Sequence, residues 1–230
     1  MRFTLMRADY VVMEMKNEPY KEPLFTAPWP AVVLSGLILA LYALQSHFDT
    51  RGMIQYAFGL NPTLLFSQGA YDTLVTTMFL HGSWTHAGFN ALFGLAFASG
   101  VARVFGTHFR GAVLFYIYYL LCGGLAGLIY CLVFPDRNVL LIGASGAISG
   151  LMGAAIRLGP GYILPVTDKR VVGMSLAWLI INALSAFVSL VPGEGPIAWE
   201  VHLIGYALGL LSIGVWMRLF RPRFFRTPVN

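Results

Sequence analysis

Long apolar runs separated by short polar breaks are the dominant pattern of this chain. Six of them, at about 28–47, 78–101, 111–134, 139–158, 171–191 and 199–218, come close to the ~20 residues that a helix needs to cross ~30 Å of hydrocarbon. They predict an all-α membrane protein, a six-transmembrane-helix bundle whose connections are mostly short. No internal repeat or low-complexity tract divides it, so the expected organisation is a cytoplasmic N-terminal segment over 1–27, one membrane domain over 28–218 and a basic cytoplasmic tail over 219–230. The long connection from Asp49 to about Thr77 breaks Tyr56, Phe58, Leu60, Leu64, Leu65 and Phe66 with Gly59, Asn61 and Pro62. It is too apolar for a free loop and predicts short amphipathic helices embedded partly in the membrane interface.

The fourth run contains GASGAISGLMG, residues 143–153, with four glycines and two serines. A helix starting near Ser145 and stopping at Leu158, ahead of Gly159, Pro160 and Gly161, has 14 residues and measures about 21 Å, too short to cross alone. The extended run Val139 to Ala144 must therefore descend to meet it. Irregular backbone at that depth is tolerated only where protein or a water-filled cavity surrounds it. The helix is thus expected to be short and buried, starting at the floor of a wet cavity.

Composition supports a lipid solvent: 57% of the residues are hydrophobic and 11% charged, unlike a soluble domain. The net charge of +5 does not call for a nucleic-acid partner, because the placement of the cations explains it. With the N-terminus inside and six crossings, Arg2, Arg7, Lys16, Lys21, Arg103, Arg110, Arg157, Lys169, Arg170, Arg218, Arg221, Arg223 and Arg226 are cytoplasmic, and only Arg51 and Arg137 lie outside. That asymmetry predicts a multi-pass protein of the cell (inner) membrane with both termini cytoplasmic. The 27 residues before the first run, with four acidic and four basic side chains, are too long and too acidic for a signal peptide's charged region. Trp199 and Trp216, about 25 Å apart along a helix, suit anchors at the two interfaces. Cys122 and Cys131 share one span, too far apart to bridge, and read as packing residues.

Polar residues at depth carry the chemistry. Ser145 falls at the start of the buried helix, where unpaired N–H groups and the helix dipole favour an anion. Gly143, Gly146, Gly150 and Gly153 are spaced 3, 4, 3, and so are His202, Gly205, Gly209 and Ser212 on the last run. Packed together, the two stripes bring His202 within reach of Ser145, as a general base must be. On the second run His86 and Asn90 share a face and are donors of the type that stabilise an oxyanion. His81 lies nearly on that face. Glu200 points about 200° away from His202, so no acid completes a triad and a serine–histidine dyad is expected. A metal held by His81, His86 and His202 is the competing chemistry, but it lacks a spaced carboxylate or an HExxH arrangement.

GASG opening a small-residue helix, HxxxN on the second run and HxxGxxxG on the last together resemble the rhomboid intramembrane serine proteases. The resemblance covers roughly residues 28–218. It implies Ser145 as nucleophile, His202 as general base and acid, and His86, Asn90 and Ser145 as the oxyanion hole, with no cofactor and no metal. Its implied partners are the lipid bilayer and transmembrane protein substrates, cut near the outer ends of their spans. MFLHGSWTH looks like the family's approach to its second helix, with His81 at a commonly found histidine. Two positions depart from the pattern: Asp72 and Thr73 stand where the family often has a Trp-Arg pair, and Ser149 where it often has an aromatic stacked on the histidine. A second reading is a catalytically silent rhomboid-like protein that binds or escorts membrane clients. A proton-coupled transporter using Glu200 and His202 fits less well, because the polar residues stay near one side.

Overall fold

The computed structural model describes residues 26–49, 51–187, 198–222 and 224. Most of the expected N-terminal segment and tail, and the end of the fifth run, lie outside the described residues. The chain starts with α1 (Trp29–Phe48), then α2 (Met53–Phe58), α3 (Pro62–Ser67) and α4 (Thr73–Thr76). It continues through α5 (Trp84–Phe105), α6 (Phe109–Val133), α7 (Ser145–Ala155), α8 (Lys169–Phe187) and α9 (Trp199–Phe220). Among the described residues α1, α5, α6 and α9 are long and apolar enough to cross a membrane. The sixfold expectation is therefore met for these four spans.

Local chemistry sets the starts. Pro30 sits in the first turn of α1, where its missing N–H costs nothing. The Ser83 hydroxyl accepts from the His86 N–H at 3.0 Å and begins α5 six residues later than hydropathy suggests, because a 3-10 turn over Thr77–Phe79 precedes it. His108 caps α6 in the same way, its Nδ1 accepting from the Gly111 N–H at 3.0 Å. The buried faces mix small and polar residues with large ones such as Leu34, Ile38, Phe115 and Tyr118, and the outer faces are large and apolar. On α1, Ala31, Ser35 and Gln45 turn inward, while Val32, Val33 and Leu44 are exposed. Exposed large apolar side chains suit helices whose outer solvent is hydrocarbon.

α7 lies at the centre, packed on α5, α6 and α9. It is shorter than expected, ending at Ala155, about 16 Å of helix. Arg157 explains the early stop: its carbonyl accepts from the Leu164 N–H at 2.8 Å, and its Nε donates to the Leu164 carbonyl at 2.8 Å. Beyond it β1 (Leu158–Gly159) pairs antiparallel with β2 (Tyr162–Ile163) around Gly161, whose φ of 76° favours glycine.

The two glycine stripes meet. A Cβ on Gly205 would collide with the Gly146 carbonyl, one on Gly209 with the Gly150 carbonyl, and one on Gly153 with the Tyr206 carbonyl. Backbone therefore lies on backbone along the α7–α9 crossing, which dispersion and close approach hold in the absence of a hydrophobic drive between helices.

Three arginines tie elements together through backbone carbonyls. Arg221 donates to the Phe105 carbonyl in the last turn of α5, and Arg103 donates to the Thr26 carbonyl at 2.9 Å. Arg157 Nη1 reaches the Leu210 carbonyl at 2.5 Å. Trp216 is half-buried and packs on Phe105, Tyr118 and Phe220 with its indole nitrogen buried, beside Ile213 and Met217 on α9. Cys122 and Cys131 are free and buried. Neither should react with a maleimide in the folded protein, and both should react once it is unfolded, which mass spectrometry of labelled samples would read.

Candidate active site

The backbone that leads into α7 is extended and satisfied by the connection after α1. Leu141 exchanges hydrogen bonds with Leu60 at 3.0 and 2.8 Å, the Thr77 hydroxyl donates to the Leu141 carbonyl at 2.5 Å, and the Gly143 N–H donates to the Thr77 carbonyl at 3.0 Å. Asn61 Nδ2 donates to Asn138 Oδ1 at 2.9 Å. Irregular backbone thus sits where protein supplies its partners. The same contacts anchor the connection that Asp72 and Thr73 leave without a Trp-Arg pair. Gln45 adds a further tie, bonded to both the N–H and the carbonyl of His81 at 3.0 and 2.8 Å.

Gly143 makes the turn into the helix with a φ of 117°. A Cβ there would meet His86 Nε2, so glycine is required both by its backbone angle and by the imidazole beside it. Ser145 follows as the first residue of α7. Its Oγ lies 2.7 Å from His202 Nε2, a hydrogen bond between residues 57 apart in sequence. The glycine crossing below makes that approach.

His86 and Asn90 line the same cavity as Ser145 and His202. Asn90 Nδ2 donates to the His86 carbonyl at 3.0 Å, and since an amide NH2 carries two donors, one remains for a bound group. His81 is fully buried behind His86, the two rings 5.2 Å apart and edge to face, so it braces His86 and does not line the cavity. All four polar residues singled out in the sequence are thus brought together, and Ser149 lies buried on the same cavity wall.

The cavity has a volume of about 1000 Å³. Ser145 lines it, as do Phe89, Phe93 and Phe97, whose successive rings are 6.2 Å apart. Arg137 and Glu200 pair at 2.7 Å on its lining. That bond to Glu200, and a second from Arg137 to the Tyr130 hydroxyl, raise the guanidinium above its ordinary value, so it stays a cation. Glu200 is engaged there and does not serve His202.

The sequence missed the partner of the second imidazole nitrogen. His202 Nδ1 lies 3.2 Å from Oδ1 of Asn182 on α8. The available signal was a polar residue inside an apolar helix, in the stripe Ser175, Trp178, Asn182, Ser185, spaced 3, 4, 3. A family model, the Rhomboid domain, matches residues 68–219. The chain belongs to the rhomboid family. No curated protein matches it. With its apolar helices it is a multi-pass membrane protein of a family whose members are usually intramembrane serine proteases acting on membrane-protein substrates. The match spans the elements carrying Ser145, His86, Asn90, Asn182 and His202 of this rhomboid.

Proposed function

We propose that this rhomboid is an intramembrane serine endopeptidase that hydrolyses peptide bonds in or near the transmembrane segments of membrane proteins. The observation that carries the reading is the 2.7 Å hydrogen bond between Ser145 Oγ and His202 Nε2 inside a cavity that His86 and Asn90 also line. His202 takes the Ser145 proton as Oγ bonds to the scissile carbonyl carbon. The carbonyl oxygen becomes an oxyanion that meets the Ser145 N–H at the start of α7, His86 and Asn90, donors fixed before the charge develops. As the intermediate collapses, the C–N bond breaks and His202 gives its proton to the leaving amine. Water then attacks the acyl-enzyme, losing a proton to His202, and the acid leaves as Ser145 recovers its own.

A helical substrate hides its carbonyls, so the segment must unwind in the cavity, which favours substrates with small residues and Gly or Pro near the cut. The positive-inside asymmetry supports an inner-membrane location with both termini cytoplasmic, which puts the cavity at the outer side. The expected test result is covalent labelling by a fluorophosphonate, mapped to Ser145 and lost in His202→Ala. Absence of labelling under conditions where another serine protease reacts would favour the alternative, a silent protein that binds membrane clients.

A further inference from the structure

We propose that Asn182 is a positioning residue that fixes the tautomer of His202, making the site a Ser145–His202–Asn182 line in place of a bare dyad. The inference rests on reading Ser145 and His202 as nucleophile and base. Its core is a hydrogen-bond constraint. Asn182 Nδ2 donates to the Trp178 carbonyl at 3.1 Å, one turn back on α8. A carbonyl only accepts, so the amide nitrogen must face Trp178 and Oδ1 must face His202. Oδ1 also only accepts, so the proton on that 3.2 Å contact belongs to His202 Nδ1. A neutral imidazole carries one N–H, which leaves the Nε2 lone pair toward the Ser145 hydroxyl at 2.7 Å. The opposite tautomer would turn an N–H toward Ser145 and leave two acceptors facing each other at Asn182.

The structure also explains why the amide stays in place. Val171, Ser175, Trp178, Asn182 and Ser185 form the inward stripe of α8, and Leu176, Leu179, Ile180 and Leu184 face outward. A second polar contact, Ser175 Oγ to Tyr206 OH at 2.6 Å, joins the same two helices two turns away. Between helices in lipid, such bonds and close packing supply the association. Asn182 is 2% exposed, so bulk water has little access to its Oδ1. It thereby does the work that an aromatic at position 149 would do in holding the ring, and it adds the choice of tautomer.

Asn182 could instead only glue α8 to α9, and Ser175 separates the two roles. The experiment compares wild type, Asn182→Leu, Asn182→Asp and Ser175→Ala in detergent, measuring the rate of fluorophosphonate labelling at Ser145, the melting temperature, and the ¹⁵N spectrum of His202. Asn182→Leu is expected to label about 10- to 100-fold more slowly while still folded, since losing the group that orients a catalytic histidine removes much of its general-base contribution. Asn182→Asp, which keeps an acceptor, should restore most of the rate. Ser175→Ala should label like wild type despite losing the other interhelical bond. In the spectrum, wild type should show the proton on Nδ1 and Asn182→Leu a mixture. Equal labelling of folded Asn182→Leu and wild type, or a wild-type proton on Nε2, would overturn the proposal. If wild type does not label, the protease reading fails, and the spectrum, which needs no turnover, still decides the tautomer.

Discussion

Alanine at Ser145 should abolish cleavage of a model transmembrane substrate in proteoliposomes, and alanine at His202 should come close to doing so. In the proposed mechanism Ser145 supplies the bond-forming oxygen and His202, 2.7 Å from it, acts as the base. Loss of either member of such a unit costs on the order of 10⁶ in kcat in soluble serine proteases, where the oxyanion hole and binding leave a residual ~10³–10⁴ over water. For a peptide bond that residue is too slow to see. His86→Ala, which removes a donor without removing the nucleophile, should fall less, by about 10²–10³. Each variant should melt close to wild type, because Ser145 and His202 line a cavity and fill no core position. Undiminished cleavage in either the Ser145 or the His202 variant would refute the assignment.

The second large effect is expected far from the reacting atoms. Gly209→Val should lower the melting temperature sharply and remove activity with it. The new Cβ would occupy the position of the Gly150 carbonyl oxygen, and backbone, unlike a side chain, cannot rotate away. The penalty should reach or exceed the ~1–3 kcal/mol typical of overpacking. Separating α9 from α7 also moves His202 away from Ser145, so the rate falls before the fold does. Gly214→Ala is the matched control on the same helix. Nothing lies within 4 Å of a Cβ there, and replacing glycine inside a helix should gain up to ~1 kcal/mol. Thermal scans of the three proteins, with labelling at Ser145 as the second readout, check both expectations. A Gly209→Val protein that melts like wild type would show that the crossing is not as close as described.

What the residues determined by themselves was everything that short-range chemistry controls. Apolar run lengths located the four helices that are long and apolar enough to cross a membrane, because hydrocarbon thickness fixes how many residues a helix must offer. Gly159, Pro160 and Gly161 announced that the helix after Ser145 could not cross, and the 3, 4, 3 glycine spacing announced a face open to another backbone. From these, and from His86, Asn90 and His202, the contents of the cavity could be read before the fold was known.

Tertiary structure decided which face each apolar helix turned inward. A helix that is hydrophobic all round carries no amphipathic stripe to fix its rotation, so the packing of Trp216 could not be read from periodicity, and the polar stripe through Asn182 did not say which residue of α9 it would meet. The satisfaction of the extended backbone before Ser145 was equally hidden, since Leu60 and Thr77 reach Leu141 across many intervening residues. The sequence alone predicted that a serine, two histidines and an asparagine would meet, and they line one cavity. Only packing decided that one histidine would have its second nitrogen held by Asn182, because that contact depends on how α8 is rotated against α9.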